Sequence, residues 1–260
     1  MSFNKPYEFL TIKDQFMFGK IAADPKNAEI ILSSLLNRNI SLSASETEHR
    51  IQLLSEKKYV QLDLLAIGED GANYDAEMQN RSSNQDRQKE LPKRSRYYQC
   101  MLDGQMLDAG KDYLELANTF IIFICDFDPF GAQLYQYTFL PTCKEDGSLL
   151  LDDGTVRIFF NLTADISSAP LKTRNMLEYI RSGETIDEST AALEDAVSHA
   201  REVEEWRQEY MLKSIHENDI FKEGKAEGEE KTLHFLVQKG IITPEEAKTL
   251  LAEVKEASLK

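Results

Sequence analysis

YVQLDLLAIGEDGANYDAEMQNRSS, residues 59–83, decides how the chain reads. Two short, partly alternating segments, YVQLDLLAIG and NYDAEMQN, flank EDGA, which supplies the turn residues of a β-hairpin. Side chains alternate along a strand, so Asp75, Glu77 and Gln79 share one face while Tyr74, Ala76 and Met78 share the other, apolar one. On the partner strand Val60, Leu62, Leu64 and Ala66 form the apolar set and leave Gln61 and Asp63 opposite. A hairpin turning symmetrically about Asp70 sets Asp63 against Glu77 and Gln61 against Gln79, with the Cβ atoms of each pair about 5 Å apart. Like charges facing each other at half-buried sites repel, and a cation between them relieves the repulsion. A hard divalent ion such as Mg²⁺ takes oxygen ligands, needs only one or two protein carboxylates, and fills its shell with water and substrate phosphate. The hairpin is therefore a candidate metal cradle. An acidic strand surface that simply faces water is the other reading the pattern leaves open.

Outward from the hairpin, HRIQLLSE at residues 49–56 adds a strand on its N-terminal side and completes a meander. Before it, TIKDQFMFGKIA and PKNAEIILSSLLNR carry apolar residues at spacings of three and four, with Pro25 suited to a first helical turn. Residues 84–109 read as helix. TFIIFICDF is then a continuous apolar run rich in β-branched and aromatic residues, the mark of a strand buried on both faces. QLYQYTFL and TVRIFFNLT follow as further strands, with EDG and DDG as turns. This order predicts an α/β core with a mixed sheet. Beyond Pro170 the pattern is helical: LKTRNMLEYIRSG ends on Gly183, DESTAALEDAVSHAREVEEWRQEYML opens with an acidic first turn, and TPEEAKTLLAEVKEA starts with a Thr cap and a Pro.

A length of 260 residues with 42% hydrophobic content fits one generous domain, or one domain with an appendage. The opening MSFNKPYEFLTIKDQF lacks the apolar core of a signal peptide, and the longest apolar run, FIIFIC, is far short of a membrane span. A cytoplasmic protein with no membrane partner is expected. Cys100, Cys125 and Cys143 are odd in number and lack CxxC spacing, which speaks against a disulfide framework or a zinc site. There is no GxxxxGK loop to support NTP hydrolysis, and none of the four histidines neighbours a Ser or Cys in a nucleophile motif. The net charge of −15 looks hostile to nucleic acid, but its distribution matters more. Residues 184–230 hold 15 acidic and 5 basic residues, whereas residues 81–96 hold 6 basic and 2 acidic ones.

A strand ending in LDLLA, a turn, and then YDAEMQ resembles the Asp … Glu-x-Gln form of the PD-(D/E)XK motif found in the recombination-promoting nuclease and transposase family. TIKDQFMFGKI, LPKRSRYYQCMLDGQMLDAGKDYLEL and FIIFICDFDPFG are similar to further blocks of that family, and together they cover about residues 10 to 165 in the family's order. The resemblance implies a restriction-endonuclease-like core, Mg²⁺-dependent cleavage of DNA with Mn²⁺ or Ca²⁺ as substitutes, and a role in recombination or mobile-element biology. Asp63 and Glu77 match the motif's metal-binding acids, and Gln79 stands where the wider superfamily has Lys. Asp14 matches an acidic position of the N-terminal block, as an outer metal ligand, with a helix-capping or surface role as the other reading. Gln61 departs from the pattern, which often has Arg there.

The expected division is a nuclease-like domain over residues 1–168 and a helical C-terminal extension over 169–260. Arg94 and Arg96, in a basic stretch that follows the hairpin, are candidates for backbone phosphates of DNA, with solvent-facing or acid-paired helix charges as the other reading. The acidic C-terminal helices carry apolar residues suited to self-association or to a helical cover. Two function classes remain open: a metal-dependent DNA endonuclease, or a catalytically inactive nuclease-fold module for DNA binding or protein interaction.

Overall fold

The computed structural model describes residues 5–52, 56, 58–80 and 89–257, the side chains of 254–257 excepted. Among these residues a single six-stranded sheet is built from β1 (Leu42–Ile51), β2 (Val60–Gly68), β3 (Asn73–Gln79), β4 (Thr119–Cys125), β5 (Gln136–Phe139) and β6 (Thr155–Asn161). Their spatial order is β1-β2-β3-β4-β6-β5. β1, β2 and β3 run antiparallel in succession, β3–β4 and β4–β6 are parallel, and β5 returns antiparallel on β6. The sheet is mixed, and with its flanking helices it is the α/β architecture expected.

Local chemistry explains the hairpin. Gly71 takes φ +81°, a conformation that costs a side-chain-bearing residue about 1–2 kcal/mol. Around it the Gly68 N–H donates to Ala72 O at 2.8 Å, and Asp70 Oδ1 accepts the Ala72 N–H at 3.0 Å. The register pairs Leu64 with Ala76, Leu65 with Asp75 and Ala66 with Tyr74, as a turn symmetric about Asp70 requires. β1 differs from expectation: it begins at Leu42, seven residues before HRIQLLSE, of which residues 53–55 lie outside the described residues. As an edge strand it buries little, so Ser, Thr and Glu fill it without an apolar signal, and main-chain pairing to β2 recruits it.

Helices cover both faces. α1 (Gln15–Ala22) and α2 (Pro25–Leu35) lie on the face bearing Tyr74, where Arg38, just past α2, donates to the Tyr74 hydroxyl at 2.8 Å. α3 (Leu91–Met106) covers the other face, packing Leu91, Tyr98, Met101 and Leu102 against Ile121, Phe123 and Phe159. The Phe123 and Phe159 rings stack at 5.3 Å in its centre, and Phe123→Ala is expected to cost about 3–5 kcal/mol. Covered on both faces, β4 is buried along almost its whole length, the reason its sequence is continuously apolar.

A further layer lies outside α1 and α2: α4 (Leu171–Ser182) packs on α2, and α5 (Glu188–Glu202) on α1. Thr173 Oγ1 in α4 donates to Ser34 O at 3.0 Å, and Arg201 Nε in α5 donates to Leu10 O at 2.9 Å. All of this belongs to one compact unit, Glu8–Glu204. A second unit joins Ser2–Tyr7 to Glu205–Lys260 and holds nearly all of α6 (Glu204–Gln238) together with α7 (Pro244–Ala257). Within it the Tyr210 hydroxyl donates to Lys5 O at 2.9 Å, and the Tyr7 and Tyr210 rings lie 5.8 Å apart. No helix among the described residues is long and apolar enough to cross a membrane.

Candidate active site

The sheet forks at the hairpin's open end. Main-chain pairing of β2 with β3 runs from Ile67↔Asn73 to Leu64↔Ala76, after which β2 continues along β1 to Val60 and β3 along β4 to Gln79. At the next step Asp63 meets Glu77, and side chains take over from the ladder. The Asp63 N–H donates to Glu77 Oε1 at 2.7 Å, and the Met78 N–H donates to Asp63 Oδ2 at 2.9 Å. Across the fork on β1, Glu48 has φ +55°, a conformation costing about 1–3 kcal/mol in a non-glycine residue. Alternation on β2 breaks here: Leu62 and Leu65, three residues apart, join the same α3-side cluster, so the expected face shared by Val60, Leu62, Leu64 and Ala66 does not run unbroken. The expected facing of Gln61 and Gln79 is not made either. Gln61 is exposed and pairs with Arg50 on β1.

Three carboxyl groups are sealed at this point. Asp63 is 6% exposed, Glu77 1% and Asp75 0%, whereas the hairpin pattern suggested a half-buried face. The difference comes from α3, which covers the face that Asp75 and Glu77 share with Ile121 and Phe123. Burial pushes Asp63 up to about 6, against the pull of hydrogen bonds from Gln15 and Met78. Burial also raises Glu77 and Asp75 well above the usual carboxylate range, and the charges of neighbouring acids raise both further. Among the described residues the Asp75 oxygens have no donor within reach, and its neighbour Glu77 is itself a carboxyl, so the two bond only when one carries a proton.

Among the described residues one cation faces this group. The Arg94 guanidinium, projecting from α3, lies 3.8 Å from Glu77 Oε2, donates to Gln79 Oε1 at 2.7 Å and donates to the Tyr98 hydroxyl at 2.9 Å. Burial alone would lower its pKa, but Tyr98, Glu77 and Asp63 together hold it above the ordinary arginine value. From the opposite face, Gln15 at the start of α1 donates its amide to Asp63 Oδ1 at 2.6 Å. Two helices and two strands thus converge on Asp63 and Glu77, through Gln15 of α1 and Arg94 of α3.

A family model for the PD-(D/E)XK nuclease family transposase matches residues 12–163, well over half of the chain and all of the residues just described. The chain belongs to this family. No curated protein and no solved structure matches it significantly. Membership supports a nuclease or transposase-related role with DNA as substrate, and PD-(D/E)XK nucleases generally use divalent metal ions.

The residues of the fork fit such an ion. Among the described residues three buried carboxyls share one guanidinium, so the site is rich in oxygen donors and short of fixed positive charge, and hard divalent ions prefer oxygen. Among the described residues no group of three or more His, Cys, Asp or Glu side chains is arranged to hold a metal. A protein-only cage is therefore not offered, and the mode that fits is two carboxylates completed by water and phosphate.

Of the residues expected from the sequence, Asp63, Glu77, Gln79 and Arg94 come together. Asp14 stands at the N-cap position of α1, where its carboxylate accepts the Thr11 N–H at 2.7 Å and the Thr11 hydroxyl at 3.1 Å. Its neighbour Gln15, not Asp14, is the residue of that turn that bonds Asp63. Arg96 is exposed on α3 and lines an open groove of about 640 Å³ with Cys100, Asp103 and Arg157. Residues 81–88 of the basic stretch lie outside the described residues. Sequence reading missed Gln15 and Tyr98. Tyr98 carried a signal, since it follows Arg94 by four positions on one helix face; Gln15, 48 residues from its partner, carried none.

Proposed function

We propose that this protein is a divalent-metal-dependent DNA endonuclease acting in recombination or mobile-element processes in the cytoplasm. The observation that carries the reading is the meeting of Asp63 and Glu77 at the fork, buried and short of positive charge. In this reading Asp63 and Glu77 hold the ion, Mg²⁺ in the first place and Mn²⁺ or Ca²⁺ in substitution. A bound divalent ion supplies polarisation of the scissile phosphate and a lowered pKa for bound water. Gln79 cannot act as a base; its amide orients the attacking water or a phosphate oxygen by hydrogen bonding. Gln15 steadies Asp63, and Asp14 fixes the turn from which Gln15 projects, with an outer-ligand role as its alternative. Arg96, exposed beside Arg157, contacts backbone phosphates.

We also keep the functional division at 168/169, the first part carrying the chemistry and residues 169–260 forming a helical extension suited to self-association. Compactness divides the chain elsewhere, at Glu204/Glu205. Incubation of purified protein with supercoiled plasmid, with and without Mg²⁺, tests the reading beside Asp63→Ala. Metal-dependent nicking that the variant lacks is expected. Equal inertness of both proteins in Mg²⁺, Mn²⁺ and Ca²⁺ would replace the enzyme with an inactive nuclease-fold binding module, the reading that Gln79, Gln61 and the acidic charge balance together motivate.

A further inference from the structure

The geometry points to Arg94 as a fixed cation of the fork, a positioning residue on α3 that sets which end of the Gln79 amide faces the reaction space and offsets the Asp63–Asp75–Glu77 carboxyl group. The catalytic half of this assignment rests on the nuclease reading; the electrostatic half does not.

A guanidinium has five N–H donors and no acceptor, so the Gln79 atom it meets at 2.7 Å must be the carbonyl oxygen. That bond assigns the rest of the amide. One Nε2 proton is directed to Met78 O at 3.1 Å, which leaves the second as the donor that this assignment gives to a water or phosphate oxygen. Without Arg94 the amide is free to flip and present its oxygen, which repels a phosphate oxygen and holds a water by the opposite polarity. The guanidinium itself is braced. Tyr98, one helical turn along, accepts from Nη2 at 2.9 Å, and the Tyr98 and Phe123 rings lie 5.4 and 5.6 Å from its carbon. Bonds to Gln79 and Tyr98 leave further N–H groups for a phosphate oxygen, so charge and amide act on one substrate group.

The arrangement also explains why the strand residue is neutral. An ammonium at position 79 would sit about 3 Å from the guanidinium, a like-charge contact at a half-buried site. If Arg94 is removed, the same ammonium becomes the replacement cation, because position 79 lies on the Glu77 face of β3, two residues on. The positive charge of the site can therefore be relocated from helix to strand, which no packing role of Arg94 would permit.

Three variants test this against the wild type: Arg94→Gln, Gln79→Lys, and the two combined. In metal-free buffer at pH 7.5, Arg94→Gln is expected to lower Tm by about 5 °C, and adding Gln79→Lys to restore most of the loss. With Mg²⁺ and supercoiled plasmid, Arg94→Gln should slow nicking about 100-fold, and the combined variant should recover about tenfold of that. Should Arg94→Gln fail to fold, recovery of folding in the combined variant gives the same support. The assignment is overturned if the combined variant is no more stable than Arg94→Gln, or if Arg94→Gln is as stable as wild type. Rescue of Tm with no nicking by any protein, wild type included, would sink the nuclease reading and leave the cation assignment standing.

Discussion

Asp63, Asp75 and Glu77 lie buried at the fork of the sheet beside the Arg94 guanidinium, whereas Glu209, Glu227 and Glu229 of α6 each stand four residues from a lysine near the surface. The residue types are the same and the physics is opposite. On α6, the Lys231 hydrogen bond and charge pull Glu227 below the usual carboxylate range. At the fork, burial pushes all three acids up. Pairs of the first kind contribute little, because water screens them and long side chains lose entropy in holding them. Acids of the second kind are costly for the fold and persist where something else supplies positive charge. A net charge of −15 averages over both kinds, and so says little about whether the protein meets DNA.

The comparison is broken most severely at Glu77. Glu77→Ala is expected to lower Mg²⁺-dependent nicking about 10³-fold in a plasmid assay, because one of two carboxylates for the ion is lost. Next comes the ion itself. At pH 7.5, Mg²⁺ at about 100 times its Kd should raise Tm by about 6 °C, a stabilisation of ~2.7 kcal/mol read by thermal unfolding. That shift should shrink as pH falls through the Asp63 value of about 6 and be nearly absent by pH 5, because protons compete for the same oxygens.

Removing one buried charge sharpens the contrast. Asp75→Asn should raise the metal-free Tm by about 4 °C at pH 8. The sign follows from linkage: an acid whose folded-state pKa is raised holds its proton longer folded than unfolded. Wild-type stability therefore declines as pH rises from about 4 through about 6, where Asp63 ionises, and declines further wherever Asp75 and Glu77 follow. Below about pH 4 the acids are protonated in both states, and the advantage of Asp75→Asn should disappear. At the small end, Glu227→Gln should move Tm by no more than about a degree at any of these pH values. A larger loss there would mean that the α6 acids do more than solvate a helix.

Much of the fork could be read from residues 59–83. A turn whose residues must pass through Asp70 and Gly71 sets the register, and that register brings Asp63 to Glu77 whatever lies around them. The apolar run TFIIFIC likewise announced a strand covered on both faces. β1 was placed seven residues late because an edge strand needs no apolar face, so its Ser, Thr and Glu residues look like a loop. The break in alternation at Asp63 was invisible for a related reason: it arises from the parting of β2 and β3 and from Glu48 on a third strand, not from anything in the hairpin's own pattern.

By itself, then, the sequence determined the mixed α/β core, the hairpin register and the pairing of Asp63 with Glu77, since alternation and turn geometry act over a few residues. Tertiary structure alone decided that these acids are buried, that Asp75 joins them, that Arg94 turns inward to Gln79 and that Gln15 reaches Asp63. Burial and partner choice depend on which helices cover the sheet, and local pattern carries no information about groups brought together from 48 residues away.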